Sequence, residues 1–155
     1  MVPLERCQRR QALGRAFGVA FALNYAWEML QMPLFLGMDW TPSSWVLCAA
    51  AAGGDAAFTT LLYAAFAYRS GEAWWVCRRD AWDVALVVAS GCLAAVMGER
   101  VAQALGWWSY SPSMPRVPGL GVGAAPLVQV AVLAVITFEA LRALGPCHSG
   151  RDPLQ

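Results

Sequence analysis

This sequence predicts an all-α fold, a four-helix transmembrane bundle with both termini cytoplasmic, and three observations carry that expectation. Hydrophobic residues make up 59% of the 155 positions and charged residues only 14%, too little polar cover for a soluble domain of this size. Four apolar runs, at about 16–36, 44–67, 84–105 and 120–143, each come close to the ~20 residues that cross a bilayer. Arginines gather at alternate ends of those runs, and the positive-inside bias then places the N- and C-termini together in the cytoplasm.

Taken in order, residues 1–15 form a basic cytoplasmic stretch with Arg6, Arg9, Arg10 and Arg15, and the transmembrane domain follows over 16–144. The first run holds Asn24, Glu28 and Gln31 on one helical face by the i, i+4, i+7 rule. Loop one, "GMDWTPSS", contains a solvated Asp39 and ends in helix-starting chemistry. The second run carries "AAAAGGDAAF", either small residues for close helix approach or plain low complexity, with Asp55 near its middle and Thr59 one turn on. Loop two, "RSGEAWWVCRRD", combines Arg69, Arg78 and Arg79 with Trp74 and Trp75. With Trp82, these tryptophans read as an interfacial belt, and Asp80 and Asp83 as solvated loop charges.

The third run brings Glu99 and Gln103 to its outer part, where Glu99 paired with Arg100 near the helix end can alternatively snorkel into the interface. Loop three, "GWWSYSPSMPRVPGLGVG", has three prolines and cannot be helical throughout; its aromatics suit the outer interface or a re-entrant cap. The fourth run places Gln129 in its outer half and ends in a Glu139–Arg142 surface pair. Residues 145–155 are expected to be a disordered cytoplasmic tail.

Some function classes are excluded. A formal net charge of +1, with no arginine run interleaved with aromatics, gives no nucleic-acid interface. The five cysteines, Cys7, Cys48, Cys77, Cys92 and Cys147, are odd in number and lack C-x-x-C spacing, so neither a disulfide framework nor a zinc site is expected. The single histidine, His148, reads as a solvated tail residue. No cofactor is called for, and the first run is too long, and carries Glu28, for a cleaved signal peptide.

The functional signal is one of depth. Counting along each run puts polar atoms from all four helices between the midplane and the outer leaflet. A carboxylate there costs roughly 2.5–3.5 kcal/mol on the insertion scale, and such an acid is best carried in its neutral form. Glu28, Asp55 and Glu99 are therefore candidate catalytic acids or bases. Asn24, Gln31 and Gln129 are candidates to hold them, and Trp27, Trp108 and Tyr110 to line a substrate pocket. Aromatic faces beside an acid can stabilise a cationic intermediate, the chemistry of alkene protonation and cyclisation. The plain alternative is interhelical hydrogen bonding as structural glue.

Residues 98–129, "GERVAQALGWWSYSPSMPRVPGLGVGAAPLVQ", resemble the repeat of integral-membrane lycopene cyclase domains, over about a fifth of the chain. That repeat runs from an acid through a helix end with G-x-W and an aromatic to a Gly-rich turn and Pro-Leu. Glu99, Gly106, Trp108, Tyr110 and "GVGAAPL" follow this order. The family's paired acids after Pro-Leu are replaced by Val128 and Gln129, so Glu28 or Asp55 would have to substitute for them. Four helices are also fewer than a complete two-repeat cyclase has. "NYAWEMLQMPLF" and "GERVAQALGWWSY" are in addition similar to small uncharacterised bacterial membrane proteins, which implies the bacterial inner membrane.

The leading expectation is an intramembrane enzyme or binding protein acting on a polyene or isoprenoid lipid, by protonation leading to cyclisation or isomerisation. The substrate would come from the outer leaflet. A proton-coupled transporter or small channel is the alternative; four helices offer it little internal volume, which a homodimer would enlarge. The third expectation is an accessory subunit whose polar cluster packs against partners.

Overall fold

The computed structural model describes residues 3–148, side chains from 5 to 147. It is all-helical, with α1 (Pro3–Gln31), α2 (Pro42–Ser70), α3 (Ala81–Ala104) and α4 (Ala124–Leu144), plus short 3-10 turns. Three of the helices, α2, α3 and α4, are long and apolar enough to cross a membrane. α1 falls short of that composition, because Asn24, Glu28 and Gln31 interrupt its apolar part and arginines fill its first half.

Local chemistry sets the boundaries. α1 gives way to a 3-10 turn, Met32–Leu34, at Pro33, which has no N–H to continue the helix. α2 starts with extended Thr41 before Pro42 and stops at Gly71, whose φ of 74° suits glycine. α3 opens with a capping box, the Asp80 side chain accepting from the Asp83 N–H while Asp83 accepts from the Asp80 N–H.

α1 packs along α2 and α4, and α3 along α4, so the helices lie in the order α2–α1–α4–α3. Small side chains let the first pair approach. Ala12, Ala16, Ala20 and Asn24 form a buried ladder on α1, and Ser44, Cys48, Ala52 and Ala56 form one on α2. On α3, a Cβ at Gly91 would lie 2.7 Å from the Ala131 Cα, so only glycine fits there. The first helices of the two hairpins, α1–α2 and α3–α4, share one burial pattern. Ala16, Ala20 and Asn24 lead to Glu28 on α1 at the same spacing as Val87, Gly91 and Ala95 lead to Glu99 on α3.

Half of the apolar window of α4 is buried inside the bundle, against 22% for α2 and 17% for α3. The last two therefore turn apolar side chains such as Leu61 and Leu93 outward, as helices surrounded by hydrocarbon do.

Within the basic N-terminal stretch α1 already begins at Pro3. Three expectations are corrected at the arginine-rich end. Cys77 and Cys147 form a disulfide, because loop two and the end of α4 meet there despite a sequence separation of 70. Trp75 is core: it stacks on Phe66 and packs edge-on against Phe138. Asp80 and Asp83 are capping residues, and Asp83 also pairs with Arg69. Arg15 donates to the Leu144 carbonyl at 3.0 Å and lies over the Trp74 ring, joining the start of α1 to the end of α4. Glu139 pairs with Arg79 as well as with Arg142. Gly145 packs on Trp74, and Pro146–His148 form a turn at the start of the expected tail. Its remainder, 149–155, and the His148 side chain lie outside the described residues.

Candidate functional site

At the end away from most of the arginines, α1 and α4 turn from apolar to polar on the faces that meet. Gln129 of α4, almost fully buried, is the hub. Its amide nitrogen lies 2.8 Å from Glu28 Oε1, 3.0 Å from Asp55 Oδ2 and 3.1 Å from Asn24 Oδ1. Its carbonyl oxygen accepts from Gln31 Nε2 at 2.7 Å, and the Gln31 carbonyl in turn accepts from the Trp27 indole at 3.1 Å. Asn24 Nδ2 donates back to the Ala20 carbonyl at 2.9 Å. Side chains from α1, α2 and α4 thus share one amide.

A primary amide carries two hydrogens, yet three acceptors surround the Gln129 nitrogen. The Gln129 nitrogen can serve two of them at a time, and the Gln31 amide stands beside Glu28 as a second donor. Glu28 and Asp55 are only half-buried, so the cluster is reachable from the side of the bundle.

Glu99 forms a second node, buried on α3 and within electrostatic reach of Glu28 and Asp55. It accepts from the Tyr110 hydroxyl and from the Trp108 indole at 3.3 Å. The Tyr110 oxygen is itself saturated, accepting from the Gly123 N–H at 2.9 Å and from Gln103 at 3.2 Å. Its one hydrogen is therefore committed to Glu99. Burial first, and then the Glu99 hydrogen bond, push the Tyr110 hydroxyl well above the ordinary phenol range. Arg100 turns away to the Leu120 carbonyl at 3.2 Å.

Loop three folds back over this end. Leu36 donates to Ser109 and Ser111 to Leu34, pairing Phe35 with Tyr110 in an isolated antiparallel bridge. The Phe35 ring meets Trp108 edge-on, with centroids 6.3 Å apart.

All nine candidate residues lie in these two nodes: Glu28, Asp55, Asn24, Gln31, Trp27 and Gln129 in one, and Glu99, Trp108 and Tyr110 in the other. Phe35 and Gly123 were not singled out from the sequence, because an aromatic and a glycine in loops carry no signal of depth. Cys48 of α2 lies within electrostatic reach of Glu28. Among the described residues, no group of three or more His, Cys, Asp or Glu is placed to hold a metal ion. Comparison with protein-family models, curated proteins and solved structures finds no match to this chain.

Proposed function

We propose that this chain is an integral protein of a bacterial inner membrane, N-in and C-in, that transfers a proton to a double bond of an isoprenoid or polyene lipid. The observation that carries the reading is that two carboxyl groups, Glu28 and Asp55, converge on the one Gln129 nitrogen, an arrangement that favours keeping a hydrogen on one of them. That hydrogen lies at the half-exposed side of the cluster, where a lipid-phase alkene can meet it.

In the proposed reaction Glu28 or Asp55 gives its proton to one alkene carbon, leaving a cation on the other. A neighbouring double bond attacks that cation, which closes a ring. Loss of a proton from an adjacent carbon to a carboxylate restores the alkene, so the product is an isomer of the substrate. Glu99, held by donors from Tyr110 and Trp108, suits the accepting role. Trp27 and Trp108 offer ring faces to the cation. The lycopene cyclase resemblance agrees with this chemistry, with Gln129 standing where the family has an acid.

Most of the arginines fall in the segments at one end of the four runs, which supports the orientation. Proton-coupled transport is the second reading, favoured by the repeated burial pattern of the two hairpins. Expression in a host that accumulates acyclic carotenoids, comparing wild type with Glu28→Gln by pigment chromatography and mass, separates the two. A ring-containing or isomerised pigment that disappears in Glu28→Gln supports the enzyme. Unchanged pigment in both sinks it and leaves transport or packing.

A further inference from the structure

At the other end of the bundle from the acids, Glu5, Gln8 and Arg9 in the first turns of α1 face Gly71, Glu72 and Trp74 of loop two across a cavity of about 290 Å³. That volume is at the small end of ligand cavities, roughly 300–1,000 Å³, and suits a headgroup-sized molecule. The acid chemistry proposed above uses none of these residues. Their charges are open to a ligand. Arg9 is half-buried while its neighbours Gln8 and Arg10 are exposed, and it reaches the Gly71 carbonyl at 3.5 Å, a weak bond for a group with five N–H donors. Among the described residues Glu5 has no ion pair, and Glu72 pairs with Arg78 through Oε1 alone.

Depth sets the cavity among lipid headgroups. α2 ends at Ser70 and α3 begins at Ala81, and both are long and apolar enough to cross a membrane. In a bilayer the loop between them lies where they leave the hydrocarbon. Tyr68 and Trp82, on either side of that loop, are exposed, as aromatics of the interface are.

The charges name the ligand. Two carboxylates and one guanidinium line the cavity, so a purely anionic headgroup is repelled by Glu5 and Glu72, and a plain amine by Arg9. A molecule carrying both signs satisfies all three. Its cation is a primary ammonium, whose three N–H donors match two carboxylates. A quaternary ammonium has no N–H and needs an open aromatic face, whereas Trp74 already has the Arg15 guanidinium over its ring and Gly145 against its edge. We propose that the cavity between the start of α1 and loop two binds a phosphoethanolamine group, with Arg9 holding the phosphate and Glu5 and Glu72 the ammonium. The bilayer supplies that group as phosphatidylethanolamine.

The test uses the full chain in detergent micelles and counts bound lipid by native mass spectrometry, with short-chain phosphatidylethanolamine, phosphatidylcholine and phosphatidylglycerol as probes. Wild type should bind one phosphatidylethanolamine about tenfold or more tighter than either of the others. Arg9→Gln should weaken that binding by about the same factor. Glu5→Gln combined with Glu72→Gln should erase the preference over phosphatidylcholine. Melting should stay at the wild-type value in both variants, since the one ion pair removed, Glu72 with Arg78, is exposed. Should a variant fail to fold, the choice among headgroups made by wild type still decides. Equal affinity of wild type for the three lipids, or an unchanged preference in the folded variants, overturns the site. Glycerophosphoethanolamine, the same headgroup without acyl chains, separates the sources. Binding as tight as the lipid's assigns the cavity to a soluble ligand of this chemistry, and weaker binding assigns it to the bilayer lipid.

Discussion

Gln129 of α4 donates to Glu28 of α1 at 2.8 Å, and the same nitrogen is the nearest donor to Asp55 and Asn24. One amide thereby joins three helices at the end of the bundle that carries the acids. Gln129→Leu leaves all three acceptors without it, and each buried unsatisfied group costs about 1–3 kcal/mol. The variant should melt well below wild type when helical signal is followed in detergent; an unchanged midpoint would mean that Gln129 holds nothing.

Two glycines on α3 should respond to alanine with opposite signs. At Gly91 the new Cβ would sit 2.7 Å from the Ala131 Cα, forcing α3 from α4 at a cost of about 1–3 kcal/mol. At Gly98 there is open space, and alanine should stabilise by up to about 1 kcal/mol through helix propensity. Thermal melts of the two variants side by side check the packing of this seam. Equal effects would contradict it.

Tyr110 gives a prediction in alkali. Its phenol is held above its ordinary value, so the fold favours the protonated form. That contribution is fully present below the unfolded value of about 10 and is lost as pH rises through the folded one. The ultraviolet tyrosinate titration of wild type minus Tyr110→Phe should therefore lack an ordinary step, and wild type should lose stability more steeply than Tyr110→Phe above that pH. An ordinary step in the difference would place the hydroxyl in water.

The disulfide tests orientation. Cys77 and Cys147 join at the arginine-rich end, which the proposed orientation places in the cytoplasm, where thiol buffers keep such pairs reduced. Alkylation of intact cells should find a dithiol at rest and a disulfide after oxidant treatment. In the oxidised purified protein, reduction or Cys77→Ser should lower the melting temperature to the same extent, by an amount equivalent to about 2–4 kcal/mol. A bond already fully formed in untreated cells would put this end on the oxidising side.

What was legible in the sequence follows from what each signal depends on. The helices were visible because apolar length is a local property, and the nine site residues because depth along a helix can be counted from its ends. Trp75 was misassigned to the interface, since an aromatic in an arginine-rich loop looks the same whether it faces lipid or, as here, stacks on Phe66. Cys77 and Cys147 were not paired, because only the meeting of loop two with the end of α4 brings them together.

The central claim is that an acid of the Glu28–Asp55–Glu99 group delivers a proton to a lipid alkene. Conversion of an acyclic carotenoid by the purified protein in deuterium oxide addresses it most directly, because a carboxyl hydrogen exchanges with solvent before it is transferred. The expected result is a cyclised or isomerised product carrying a single deuterium, formed by wild type and absent with Glu28→Gln and Asp55→Asn. A product that contains no deuterium, or one formed equally by the variants, would contradict the account.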